Sequence, residues 1–448
     1  MSATDTIAAI ATPPGRGGIG VLRISGSRTR AIAQSLLSNV PAPRQVCVRD
    51  FHDADGSSLD RGVALFFQGP ASFTGEDVLE LHAHGGPVLM DLLLARTIQL
   101  GARVAQPGEF SQRAFLNDKL DLAQAEAIAD LIDSGSQQAA RAAVRSLQGE
   151  FSARIHALLA SLIEARMYIE AAIDFPEEEV DFLGDKQVRR RLDDLSVSTA
   201  EILASAAQGA LLREGMTVVI AGRPNAGKSS LLNSLAGYEA AIVTPIPGTT
   251  RDVLRERISI DGLPLHIVDT AGLRATDDEV ESEGIRRARN EMAKADRILY
   301  LVDASASVSD AELADDLAPL SENNVTLLYN KIDLTLQSPQ IVRGARDAIY
   351  LSVQSGAGID LLRQYLKDCV GYVDINTGIF SARRRHLDAL RRTQIHIATA
   401  LQLLTERRAG ELMAEELRQA QHCLGEITGE FTSDDLLGKI FSSFCIGK

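Results

Sequence analysis

Gly222-Arg223-Pro224-Asn225-Ala226-Gly227-Lys228-Ser229, followed by Ser230, is a complete GxxxxGK[ST] run. Such a run wraps phosphate. Its glycines let successive backbone N–H groups turn inward, and the next helix adds partial positive charge at its N-terminus. Lys228 is expected to bridge the β- and γ-phosphates and Ser229 to hold Mg²⁺. A Gly-rich turn without a ligand can look the same, so the later motifs matter. Gly248-Thr249-Thr250-Arg251-Asp252 offers the Thr250 hydroxyl to the same Mg²⁺. Asp269-Thr270-Ala271-Gly272 closes an apolar run, bringing a carboxylate near the ion and a glycine amide near the γ-phosphate. In Asn330-Lys331-Ile332-Asp333 the Asp333 carboxylate can accept from guanine N1–H and N2–H₂ together. Adenine offers no such pair, and a site built on it rejects the wrong base because buried polar groups stay unpaired. Taken in order, these motifs imply a guanine-nucleotide hydrolase. A fifth guanine loop, commonly Ser-Ala-Lys/Arg, reads Ser352-Val353-Gln354 and lacks the stacking cation. Leu273 stands where many small GTPases carry a water-orienting Gln, and no arginine finger is identifiable. Such a finger is worth about 10³–10⁵ in rate, so other charge must replace it.

These motifs need strands and helices to hold them. Apolar runs at 217–221, 265–268, 298–302, 326–329 and 349–352 alternate with helical segments, the pattern of a doubly wound parallel sheet. Asp261-Gly262 between 257–260 and 263–268 predicts a hairpin. Residues 120–213 are rich in Ala, Leu and Gln. Leu122, Ala125, Ala129 and Ile132 fall on one predicted helix face. Helical texture returns after about residue 376 and runs to Gly425. Residues 1–119 mix β-like runs at 20–24 and 63–67 with Gly/Pro loops and a helix near 86–100, as in a small α+β domain. The economical organisation is four segments, 1–119, 120–213, 214–373 and 374–448. The third is an α/β unit inserted into a helical domain made from both flanks.

The 448 residues carry 45% apolar and 24% charged side chains, which excludes wholesale disorder. The net charge of −14 falls in the middle of the chain, while both ends are near neutral. That disfavours nonspecific coating of nucleic acid, although Arg383-Arg384-Arg385 leaves a local basic site open. Absence of a long uncharged apolar run predicts no spanning helix and no membrane. The N-terminus lacks a basic leader, and four scattered cysteines suit a reducing cytoplasm.

The segments 223–230, 238–252 and 121–130, Phe175, and the closing Phe441-Ser442-Ser443-Phe444-Cys445-Ile446-Gly447-Lys448 resemble the tRNA-modification GTPase family MnmE, also called TrmE. The resemblance runs the length of the chain and is weakest at 183–207 and 303–350. It implies a multidomain α/β plus α protein: an N-terminal α+β folate-type domain that also dimerises, a discontinuous helical domain, and an inserted Ras-like P-loop G domain. It implies K⁺-stimulated hydrolysis, with Asn225, Thr244, Ile246 and Thr249 as the potassium loop. Pro245, Pro247 and Gly248 complete that loop around the nucleotide. A monovalent cation there can neutralise phosphate charge where a finger would sit. Glu281 in Asp277-Asp278-Glu279-Val280-Glu281 is the implied catalytic glutamate; by itself it reads rather as a solvated acidic loop. Arg23, Glu80, Lys119 and Lys448 are the implied contacts to formyl- or methylene-tetrahydrofolate. Without the family, Arg23 and Glu80 read as a surface ion pair. Cys445 reads as a buried structural cysteine beside Phe441 and Phe444, or by resemblance as part of the folate site. The family further implies tRNA wobble-uridine modification with an FAD-carrying partner, MnmG (GidA). The rival is an Era- or Der-like RNA-binding assembly GTPase that makes no covalent product.

Overall fold

The computed structural model describes residues 5–174, 186–236, 255–269, 292, 295–306, 309–318, 324–373, 378–406, 410–431 and 434–447. The chain forms two compact units. One comprises Met1–Ala129, Leu147–Leu195 and Arg392–Lys448; the other comprises Asp130–Ser146 and Ser196–Arg391.

The first unit holds a six-stranded sheet in the order β3 (Cys47–His52), β4 (Ser58–Phe67), β5 (Val78–Gly85), β2 (Gly17–Ser25), β1 (Ile7–Ile10), β6 (Arg103–Val104). Neighbours are antiparallel except β1 and β6. Alternation along the strands sends Leu22, Ile24, Ala64, Phe66, Leu79 and Leu81 to one face, where the helices Thr29–Leu37 and Pro87–Gln99 bury them. The other set of alternate residues includes Arg23, Glu80 and His82. The helices Glu150–Asp174 and Gly410–Thr428 pack together in the same unit. A helix over Asp434–Ser442 lies beyond the predicted end of helical texture. Its Leu437, Ile440 and Phe441 pack with Leu122 and Ala125. Leu122 and Ala125 are buried as the helical spacing predicts, whereas Ile132 is exposed, because its helix ends there and the core face is spent.

The second unit holds a seven-stranded sheet: β12 (Gln340–Val342), β13 (Asp347–Tyr350), β11 (Val325–Asn330), β10 (Arg297–Asp303), β7 (Met216–Gly222), β9 (Leu263–Asp269), β8 (Arg255–Ile260). The five central strands are parallel and the two edges antiparallel. Both faces are covered, which is why these strands read as unbroken apolar runs. Met216, Val218, Ile220, Leu299 and Leu328 face one core with Leu231 and Leu362; Val219, Ala221, Ile298 and Tyr300 face another with Leu317. The hairpin at Asp261-Gly262 has φ of +50° and +92°, the signs a type I′ turn demands. Arg363 and Lys367 grip the Asp261 carboxylate at 2.5 and 2.8 Å.

The helix Lys186–Glu214 is long and apolar enough over part of its length to cross a bilayer, against the sequence expectation. Its periodic residues Val188, Leu192, Leu195, Ile202 and Ala206 are buried, the pattern of a helix with one face against protein.

Candidate functional site

Strand β7 lies between β9 and β10, where the strand order reverses direction. In open α/β sheets ligands bind outside the carboxyl ends at that point. The loop 222–227 leaves β7 there and enters the helix Lys228–Ala236. Two of its glycines are obligatory. Gly222 has φ +140°, and a β-carbon on it would lie 2.4 Å from the Leu301 carbonyl oxygen; Gly227 has φ +103°, and a β-carbon would lie 2.4 Å from Asn330 Nδ2. Asn225 takes φ +64°, so the loop curls on itself. Lys228 Nζ donates to the carbonyls of Gly222 and Arg223, each at 2.9 Å, which places its ammonium inside the curl. Ser229 follows at the helix start.

Outside the curl, Arg223 Nε pairs with Asp316 at 2.7 Å, and the Tyr300 hydroxyl donates to the same carboxylate at 2.8 Å. Burial and then the hydrogen bond to Asp316 push the Tyr300 phenol up to about 12, so it remains a donor at neutral pH. The helix carrying Asp316, Asp310–Leu317, starts with a capping box between Ser309 and Glu312.

The base-reading loops stand at the ends of the next two parallel strands. Asn330, 3% exposed, ties them to the phosphate loop. Its Nδ2 donates to the Ala226 carbonyl at 2.8 Å and its Oδ1 accepts from the Val353 N–H at 3.0 Å. One buried amide thus joins the loops after β7, β11 and β13. Lys331, at φ +69°, starts the turn Ile332–Leu334 that carries Asp333. Ser352 is fully buried; its hydroxyl accepts from the Ser355 N–H at 3.2 Å and its N–H donates to Ala357 at 2.8 Å. That turn shapes 352–354 without a lysine. At the end of β9, Asp269 is paired in register with Ile220, beside the root of the phosphate loop. Thr244, Pro245, Ile246, Pro247, Gly248, Thr249, Thr250, Thr270, Ala271, Gly272, Leu273 and Glu281 lie outside the described residues, as do Phe175 and Lys448. Asp303, at the end of β10, was missed in the sequence. Its signal is the one that marks Asp269, a carboxylate closing an apolar parallel strand.

A second constellation sits in the first unit. Arg23 on β2 and Glu80 on β5 are cross-strand partners, with Nε to Oε1 at 2.8 Å. Both side chains are less than a quarter exposed, so the pair is half-buried. Arg23 Nη1 also donates to the Gly447 carbonyl at 3.3 Å, and its guanidinium lies 5.7 Å from the Phe73 ring and 5.8 Å from the Phe110 ring. The C-terminal tail is thereby held at Arg23, and Gly108 N–H donates to the Cys445 carbonyl at 3.3 Å. The Cys445 thiol is exposed while Phe441 and Phe444 are buried, which overturns the buried-cysteine expectation. The tail turns its two phenylalanines inward and leaves the thiol outside. Lys119 closes the turn after the helix Glu109–Leu116 and lines a cleft of about 460 Å³ with Asp121, Gln124, His156 and Glu430. Among the described residues no hydrogen bond or ion pair joins it to Arg23 or Glu80.

Comparison with known proteins adds to this geometry. Residues 122–445 match the MnmE helical domain family, and residues 6–119 match the family described as GTP-binding protein TrmE N-terminus. The tRNA modification GTPase MnmE of Stutzerimonas stutzeri (strain A1501) is 60% identical over 456 residues, covering 100% of both chains. That of Yersinia pseudotuberculosis serotype IB (strain PB1/+) is 58% identical over 454 residues, again covering 100% of both. Among solved structures, the G domain of the T. maritima FeoB iron transporter aligns with 34% of this chain and 98% of its own, at 21% identity and a TM-score of 0.25. That score adds nothing to what the strand order shows.

Proposed function

This chain belongs to the MnmE family of tRNA modification GTPases, and from that premise we propose how its residues serve the reaction. It is a GTP hydrolase acting in tRNA modification. The observation that carries the residue assignment is the Asn330 bridge, which sets phosphate loop and base-reading loops in one frame.

In this reading the 225–230 backbone and Lys228 cradle the phosphates, Asp333 reads guanine, and the loop 352–354 closes over the base. Oxygen donors suit Mg²⁺, and the Ser229 hydroxyl with Thr250 would hold it. The ion would neutralise charge between the β- and γ-phosphates. The amide oxygen of Asn225, with Thr244, Ile246 and Thr249, would hold K⁺ by the same hard-oxygen chemistry. Pro245 and Pro247 would limit the ordering cost of that loop. Glu281 would act on the attacking water. Leu273 supports the reliance on K⁺, because it cannot orient water as a Gln would.

The Arg23–Glu80 pair suits a folate. A guanidinium fork matches a glutamate-tail carboxylate, and a carboxylate matches the donor edge of a pterin. Lys119 and Lys448 would add cations. The proposed overall reaction places an aminomethyl-type group, including the carboxymethylaminomethyl form, on C5 of the wobble uridine at position 34. Folate supplies the one-carbon unit, and a homodimer of this chain works with the FAD-bearing MnmG partner in the cytoplasm.

The test of the potassium assignment is turnover of GTP by the full chain in KCl against NaCl at equal ionic strength. K⁺ is expected to raise kcat at least tenfold, and Asn225→Ala to remove the difference while nucleotide affinity persists. Equal rates in the two salts remove K⁺ from the mechanism.

A further inference from the structure

The apolar run of β10 stops at Asp303, a carboxylate outside the nucleotide motifs described above. Both of its oxygens are engaged. Oδ1 accepts from the Ser305 N–H at 3.0 Å and from the Ser305 hydroxyl at 2.6 Å. Oδ2 accepts from Lys331 Nζ at 2.5 Å. The backbone repeats the link: Asp303 is in register with Asn330, and the Ala304 N–H donates to the Asn330 carbonyl at 2.8 Å. Lys331 sits in the left-handed region, which side chains disfavour, and directly behind it runs the single turn carrying Asp333. The start of that turn is therefore held at two points, its backbone by β10 and its side chain by Asp303.

We propose that Asp303 is a specificity-determining positioning residue: by holding Lys331 it fixes the turn that aims Asp333 at the base. The restraint matters in this chain because 352–354 brings no lysine to the base. A carboxylate that accepts from N1–H and N2–H₂ together tolerates little rotation; one that accepts a single bond tolerates more. Loosening the turn therefore harms guanine more than hypoxanthine, which lacks the 2-amino group. Burial pushes the Asp303 carboxyl up, but Lys331 and the Ser305 donors outweigh it and hold the group below its ordinary range. It is therefore ionised at neutral pH, as the grip on Lys331 needs. The inference rests on the guanine-reading role of Asp333 and deepens it.

The experiment uses the full chain and a fluorescent GDP analogue displaced by GDP and by IDP. The parent must bind the analogue and prefer GDP to IDP; failure there overturns the role of Asp333 itself. Given that preference, Asp303→Asn keeps the shape and removes the charge. GDP affinity is expected to fall about tenfold and IDP affinity about threefold, so that the GDP-to-IDP ratio drops about threefold. The ratio does not depend on the fraction of protein folded, so loss of structure alone does not move it. A parallel fall in both affinities, or an unchanged ratio, overturns the proposal. If Asp303→Asn does not fold, Ser305→Ala decides. Removing one of the two Ser305 donors should lower the ratio in the same direction by less, and an unchanged ratio overturns the proposal.

Discussion

In the seven-stranded sheet the central strands run parallel, so their carboxyl ends meet along one edge, and the loops after β7, β11 and β13 are joined there by Asn330. In the six-stranded sheet neighbours mostly run in opposite directions, and Arg23 meets Glu80 across the ladder rather than at its end. The first architecture lets each loop supply several consecutive backbone and side-chain groups, which suits a ligand as polar as a triphosphate. The second supplies only every second residue of each strand, because the alternate set is committed to the core with Leu22, Ile24, Leu79 and Leu81. The folate contacts proposed for it therefore draw on residues far apart in the chain, as Arg23 and Gly447 are. The nucleotide motifs are concentrated in short segments; the proposed folate contacts are spread over the whole sequence.

The sharpest way to break that contrast is Asp333→Asn. The new amide faces guanine N1–H with a donor where an acceptor stood. GTP affinity is expected to fall about 10²–10³-fold, with part of the loss recovered for a xanthine nucleotide, whose 2-oxo group accepts from that amide. Competition binding with GTP and XTP measures both. Unchanged preference for GTP would mean that the most compact motif in the chain is idle.

The proposed folate contacts rest on supports of their own, and the next largest effect is there. Glu109, 4% exposed, accepts from Arg103 at 2.5 Å, from Arg113 at 3.0 Å and from the Gln106 N–H at 2.8 Å. Its neighbour Phe110 lies under Arg23. Glu109→Ala takes one carboxylate from Arg103 and Arg113, which keep Asp5 and Glu76, and should cost about 2 kcal/mol of stability. Burial pushes the Glu109 carboxyl up, yet Arg103, Gln106 and Arg113 outweigh it and hold the group below its ordinary value. The sign follows: its contribution is complete above the unfolded carboxyl's pKa, about 4.5, and is lost as pH falls through the lower folded value. Denaturant melts of parent and Glu109→Gln between pH 3 and 7 should differ most at neutral pH and converge in acid. A constant difference across that range would show the carboxylate charge to be irrelevant.

The same contrast explains what could be read from the chain. The phosphate loop, Asp269 and the 330–333 motif were legible because a parallel strand delivers its chemistry as an uninterrupted string. The hairpin at Asp261-Gly262 was legible because only residues tolerant of positive φ can make it. Arg23 and Glu80 could be read from their types as an ion pair, and only the family resemblance suggested a folate there. Their 57-residue separation carries no local signal; strand register pairs them. Asp303 escaped because, unlike Asp269, it closes its strand without a glycine three residues on, and Lys331, 28 residues later, is seen to reach back to it only in the fold. The helix Asp434–Ser442 escaped because its opening Asp434-Asp435 and its Gly438 blur the apolar period that Leu437, Ile440 and Phe441 complete only in the packed structure.

The smallest effect tests whether the spread-out site is a site at all. Arg23→Lys keeps one positive charge between Glu80 and the tail but replaces a planar fork with a point charge. The fork now serves Glu80 through Nε and Gly447 through Nη1 at once, and an ammonium on a flexible stem cannot hold both directions so rigidly. If Arg23 also meets a folate carboxylate, the substitution should weaken 5-formyl-tetrahydrofolate about tenfold by calorimetry. GTP turnover should be unaffected, because no element of the nucleotide site contains Arg23. Glu80→Gln combined with Arg23→Lys should cost less than the two separate losses together, since the residues form one pair. Full folate affinity in Arg23→Lys would reduce the pair to a strand-to-strand ion bridge. Strictly additive losses would leave two independent contacts, and the register of β2 and β5 would then have no part in recognition.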